Sequence, residues 1–128
     1  MKIDWDLIFA VAVVVHAIGH TLGVVHIFEL VDLTEMPANE SWLLTGQLKL
    51  DQTIVRLIST LWFVVILGFL ISAGAFWFEF SWWKILTIPT VILSFAVFIV
   101  WFNSFPISTQ IGAAIGNIVI IVGLLQFN

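Results

Sequence analysis

The chain has 128 residues, 62% of them hydrophobic and only 9% charged, where an ordinary soluble domain is roughly 45–50% apolar and about 25% charged. So few charges cannot coat a soluble monomer, and the mean hydropathy of +1.18 makes the bilayer the natural solvent. The net charge of -4 comes from eight acids against Lys2, Lys49, Lys84 and Arg56; it offers no basic patch for a phosphate backbone, so no nucleic-acid partner is expected. Absence of cysteine excludes disulfides, thiolate metal sites and dithiol redox centres.

Four apolar blocks follow in order, Trp5 to Leu30, Thr53 to Trp77, Trp82 to Phe102 and Ser108 to Phe127, each near the ~20 residues needed to cross hydrocarbon. Only helices satisfy their own backbone there, and nothing in the pattern resembles the many alternating strands of a barrel. The first block carries His16, His20 and His26, and acids rather than bases precede it at Asp4 and Asp6; it reads as a span, not a cleaved signal sequence. Five of the seven Trp residues, Trp5, Trp77, Trp82, Trp83 and Trp101, fall near block ends, where an interfacial aromatic belt belongs.

Asp51, Ser81 and Ser108 stand as candidate N-caps for the second, third and fourth helices. Pro37 and Pro106 lie in connections, whereas Pro89 lies inside the third block and should bend it, freeing the carbonyl of Ile85. Two connections, Phe78 to Ser81 and Asn103 to Ile107, are so short that their helices must be antiparallel neighbours. The first connection, residues 31–52, is long and carries Asp32, Glu35, Glu40 and Asp51. Because Trp42, Leu43 and Leu44 want burial, it reads as a structured cap lying in the interface, with a short extended piece. The expected fold is therefore one domain over 1–128: an all-α integral membrane protein, an up-down-up-down four-helix transmembrane bundle with a structured first loop. With both termini on one face, Lys2 and Lys84 balance Lys49 and Arg56, so orientation is not legible from the charges.

Polar residues inside spans are costly and are the first candidates for function. In HAIGHTLGVVH, His16 and His20 lie on one helix face beside Gly19 and Gly23, with His26 at its edge. The fourth helix presents Gly112, Ala113 and Gly116 with Asn117 at the shoulder and Gln110 nearer one end. His16, His20 and Asn117 fall at similar depth near the midplane and form the candidate ligand-binding cluster. An imidazole there is neutral, because hydrocarbon penalises the charged form, and a carboxamide can serve both its donor and its acceptor.

Several readings compete for the cluster: hydrogen-bonded glue between helices, a pocket for a quinone or lipid, or a metal bound by His16 and His20. Two His residues on one face cannot ligate both sides of a haem, so haem would require a homodimer. A second polar group, His26, Glu29, Asp32, Asp51, Gln52, Arg56 and Gln110, is expected where the first helix ends and the second begins. There Arg56 either snorkels to the headgroups or pairs with Glu29 or Asp51. No phosphate loop, nucleophile with matched acid and base, or intramembrane carboxylate pair is present, so catalysis by this chain alone is not expected.

The stretches HAIGHTLG, GQLKLDQTIVRLISTLWF, SWWK and FPISTQIGAAIGN together resemble small four-span prokaryotic membrane proteins grouped loosely with the DoxX-like proteins. The landmarks are the His16/His20 spacing, Arg56, Trp62, Pro106, Gly112 and Asn117. The resemblance implies a bundle in a prokaryotic cytoplasmic membrane with no established reaction. Some DoxX-like proteins are associated with quinone-linked sulfur oxidation or serve as membrane partners of redox enzymes, and no catalytic residue carries over. The expected partners are the bilayer and either other membrane subunits or a second copy. The expected function is binding of a quinone- or lipid-like molecule for a membrane redox partner. A structural accessory subunit, or a proton or metal conduit through His20, His26 and Glu29, are the alternatives.

Overall fold

The computed structural model describes residues 4–31 and 41–127, with the side chain of Ile27 excepted. Asp32, Glu35, Pro37 and Glu40 of the first connection, and Lys2, lie outside the described residues. Among the described residues the chain is helical without strands, and four helical stretches are long and apolar enough to span a membrane: Trp5–His26, Gln52–Trp77, Trp83–Val100 and Ile107–Gln126. The protein is an integral membrane bundle.

The first span is α1 (Trp5–Gly19) followed by α2 (Thr21–Ile27), and the second is α3 (Gln52–Ser59) followed by α4 (Leu61–Trp77). Each span is broken by a single tight turn, at His20 and Thr60. In both, a threonine hydroxyl bonds a carbonyl three residues back, Thr21 Oγ1 to Ile18 at 2.6 Å and Thr60 Oγ1 to Leu57 at 2.7 Å, competing with the helical ladder. The third span, α5 (Trp83–Val100), continues through Pro89, and α6 (Ile107–Gln126) forms the fourth.

Asp51 caps α3, its Oδ1 accepting from the Thr53 amide at 2.8 Å. Ser81 and Ser108 do not cap their helices. α5 begins at Trp83, whose N–H is taken by the Phe80 carbonyl in a turn that places Glu79 at φ 57°. Pro106 occupies the N-cap position of α6, and its restricted φ starts the helix directly, leaving Ser108 inside the first turn.

The four spans close a ring in which the first packs on the second and fourth, and the third on the second and fourth. At one end Phe9, Phe76, Trp83 and Phe127 form an aromatic cluster, with the Phe9 ring 4.8 Å from Phe76 and 5.0 Å from Phe127. The start of the first span and the end of the fourth therefore share a face, which gives the up-down-up-down topology. At the other end Trp62 meets Trp101 and Phe105.

Lipid offers apolar side chains no hydrophobic gain for leaving it, so packing rests on close approach. Three glycines each seat a ring that a Cβ would overlap: Gly23 the indole of Trp62, Gly116 the imidazole of His16 and Gly123 the phenyl of Phe9. The outward apolar residues, such as Ile85, Leu57 and Leu125, face the acyl chains.

The described part of the first connection is a single π-helical turn, Trp42–Gln47, not an extended piece, with Gly46 and Leu48 amides bonding carbonyls five residues back. It is pinned to the end of α5. Ser41 Oγ donates to Val100 O, the Trp42 indole N–H donates to Ile99 O at 2.6 Å, and the Trp42 amide donates to Asn103 Oδ1 at 2.8 Å. Leu44 is buried as expected, whereas the Trp42 ring remains 42% exposed, because its indole N–H caps a helix end instead of entering the core.

Candidate functional site

His16 and His20 leave α1 and its terminal turn one helical turn apart on the inward face. Their imidazoles meet edge to face with centroids 4.8 Å apart, and Phe69 of α4 packs against both. His16 Nε2 lies 3.2 Å from Asn117 Oδ1 and 3.3 Å from His20 Nε2. Ser94 Oγ of α5 completes the circuit, 2.9 Å from His20 Nε2 and 3.0 Å from Asn117 Oδ1. Four polar atoms from three spans therefore form a closed ring at mid-depth. All four side chains are buried, Ser94 and Asn117 almost completely. Among the described residues the Nδ2 of Asn117 is buried without a hydrogen-bond partner.

The structure brings His16, His20 and Asn117 together and adds Ser94, which sequence reasoning missed. Its signal was available: Thr87, Thr90 and Ser94 make a buried hydroxyl stripe on α5 at helical spacing. Thr87 and Thr90 satisfy themselves on backbone carbonyls four residues back, and Ser94 alone reaches another span. Nothing within one helix distinguishes it from its neighbours.

A cavity of about 430 Å³ opens beside this ring, between α1 and α6. His16, His20, Trp62 and Phe105 line it, and its walls are kept low by Gly19, Gly112, Ala113 and Gly116. A Cβ at Gly19 or Gly112 would meet nothing within 4 Å, so those two positions are open space. Among the described residues the lining includes no Lys, Arg, Asp or Glu, and His16, His20 and Thr109 are polar side chains in it. Asn117 and Ser94 stand behind the imidazoles rather than in the lining.

The chemistry available here is hydrogen bonding between neutral groups. Two imidazole nitrogens, a hydroxyl and an amide oxygen offer a metal ion no anionic ligand at a depth where net charge is costly, and no group of three or more His, Cys, Asp or Glu gathers for a metal among the described residues.

The second polar group disperses into local roles. Arg56 Nη2 lies 4.0 Å from Glu29 Oε2, with both side chains about half exposed, 56% and 52%, and Glu29 sits at φ 52° just beyond α2. His26 is buried, its ring 5.5 Å from Phe105. Asp51 is spent on its cap, where hydrogen bonds from the Thr53 amide and then from the Thr53 side chain hold its carboxyl below the usual 3.8. Gln110 lies elsewhere: its Nε2 donates to the carbonyls of Phe102 and Phe105, both at 2.9 Å, closing the connection into α6. Gln52 opens α3 and is exposed.

Comparison with known proteins adds nothing to this geometry: no family model matches the chain, and no curated protein or solved structure is similar to it.

Proposed function

We propose that this small polytopic membrane protein receives a quinone- or lipid-like amphiphile in the groove between α1 and α6, its head group at His16 and His20. It serves a membrane redox partner, in a prokaryotic cytoplasmic membrane, rather than catalysing alone. The observation that supports this reading is the cavity itself: about 430 Å³ of apolar, glycine-walled space, within the range of small-molecule sites, with polar groups concentrated at mid-depth. Helix packing alone would favour filling such a space with side chains, because a void forfeits contacts. An acyl or isoprenoid tail lying against α1 and α6 fills it from the bilayer.

A second reading rests on a different observation. Asn117 and Ser94 are sealed behind the imidazoles and bonded to them, as expected of glue in a structural accessory subunit. The two separate by substitution. As glue alone, Asn117→Leu should shift stability by roughly 0.6 to 2 kcal/mol and change nothing else. As part of a site, His20→Leu with Asn117→Leu should leave a folded bundle that no longer retains the amphiphile. The test is solvent extraction and mass spectrometry of wild type and double variant purified from native membranes in nanodiscs. A non-phospholipid amphiphile enriched only in wild type supports the site. Identical extracts and preserved partner activity in the double variant refute it and leave the structural subunit.

A further inference from the structure

The seam between the first and fourth spans is filled at one end and open at the other. Phe9 seats its ring on Gly123 and His16 seats its ring on Gly116; the two seats are seven residues apart on each helix, in opposite directions, as antiparallel neighbours require. One further step of seven brings Gly23 opposite Thr109. Neither supplies a ring to the seam, and the space over Gly23 is taken from within the bundle by the Trp62 indole. Between that layer and His16 lie Gly19 on the first span and Gly112 and Ala113 on α6, and the cavity opens among them. We infer, resting on the amphiphile-binding reading above, that the site is one-sided: it takes its ligand from the leaflet on the side of the π-turn and of the Asn103–Ile107 connection, and the opposite leaflet has no access to it.

The cavity lies almost wholly in one half of the bundle. On α6 its lining runs from Thr109, in the first turn, to Val119, just past the middle of Ile107–Gln126. On the first span, which runs the other way, the lining goes from Ala12, just short of the middle of Trp5–His26, to Gly23 near the end. Phe98, near the end of α5, and Phe105, in the connection, belong to the same half. The unbroken helix from Thr109 to Val119 rises about 15 Å, and half of the ~30 Å hydrocarbon core is the same length. The site is therefore one leaflet deep.

Beyond the His16 layer the seam is shut. Phe9 is buried on Gly123, with the rings of Phe76 and Phe127 4.8 Å and 5.0 Å from its own, so no chain of that leaflet passes between the first and fourth spans. The mouth is lateral: Val15, Leu22, Ile115 and Val119 line the cavity and are also exposed to the acyl chains. A chain or ring enters sideways there without crossing the midplane. An isoprenoid tail longer than the leaflet is deep leaves by the same mouth, and the partner that exchanges the amphiphile works on that same leaflet.

The experiment uses the whole protein, isotopically labelled, in nanodiscs of deuterated lipid, and reads NMR cross-peaks from two probes, decylbenzoquinone and 1-decanol. Ile8 and Val122 are the controls. They lie seven residues before Val15 and three beyond Val119, are exposed like them, and stand outside the lining. Saturable cross-peaks from at least one probe should reach Leu22 and Ile115 and none should reach Ile8 or Val122. Gly112→Leu places a side chain in open space and should weaken that binding by about tenfold or more; Gly19→Leu, which fills the same space from the other helix, serves as the second filling variant. Val122→Phe should leave binding unchanged. Saturable cross-peaks at Ile8 and Val122 as strong as those at Leu22 and Ile115, or equal loss of binding in Val122→Phe and Gly112→Leu, or binding unchanged in both filling variants, would overturn the one-sided inference while the protein still binds the amphiphile. No saturable cross-peak from either probe would overturn it together with the binding reading.

Discussion

Gly116 and Gly112 lie one turn apart on α6, and adding one methyl group to each should give opposite results. At Gly116 the new Cβ would overlap His16 Nδ1 and lie 2.7 Å from Cε1 and 2.9 Å from Cγ. That imidazole is buried, bonded to Asn117 and packed on Phe69, so it cannot yield without breaking the ring of four. Overpacking of this kind costs about 1–3 kcal/mol. At Gly112 the methyl meets nothing within 4 Å, and the helix gains roughly 0.5–1 kcal/mol from replacing glycine. Because that backbone gain is common to both, Gly116→Ala should be less stable than Gly112→Ala by the overpacking alone, about 1–3 kcal/mol. Reversible unfolding in mixed micelles with increasing SDS, followed by tryptophan fluorescence, measures the difference. Gly116→Ala should also displace the His16 ring-nitrogen signals, and Gly112→Ala should leave them in place. Equal stabilities with unchanged histidine signals would refute the seating of His16 on Gly116 and, with it, the geometry of the ring.

Arg56→Gln should alter unfolding by no more than ~0–1 kcal/mol in the same assay, since the Glu29 pair is half exposed at 4.0 Å; a larger loss would reveal a sheltered pair. Ser41→Ala should cost about 1–3 kcal/mol, because Ser41 is buried and its hydroxyl both donates to Val100 O and accepts from the Leu44 amide. An unchanged midpoint would show that the π-turn is not tied to α5 through this residue. The Asp51 cap depends on its charge. Its folded carboxyl titrates below 3.8, so the cap's contribution is complete above the unfolded value and fades as pH falls through the folded one. Thermal melts on acidification should lose this component in wild type and not in Asp51→Asn, which keeps the cap without the titration; identical acid profiles would contradict it.

Much of the architecture follows from local chemistry. An apolar block of about 20 residues in lipid has to be a helix, since no water is available to satisfy its backbone, and two short connections leave consecutive helices no arrangement but antiparallel. His16 and His20 share a face because they are four residues apart, and Asn117 matches their depth because it lies, as they do, near the middle of a span of similar length. Ser81 and Ser108 do not cap their helices, because the Phe80 carbonyl accepts the Trp83 amide and Pro106 already occupies the N-cap position of α6. What lies between helices is not written along any one of them. Ser94 is one hydroxyl in a stripe of three until α5 is rotated against α1 and α6. Gln110 could equally have joined the acidic group, but the turn of α5 into α6 offered it two carbonyls. The cavity exists because Gly19 and Gly112 face space while Gly116 and Gly23 face rings. Sequence alone gives these glycines one meaning, close packing. Only the rotation and offset of each span determine which of them is filled by a partner and which leaves room for a ligand, because they decide what stands opposite the missing side chain.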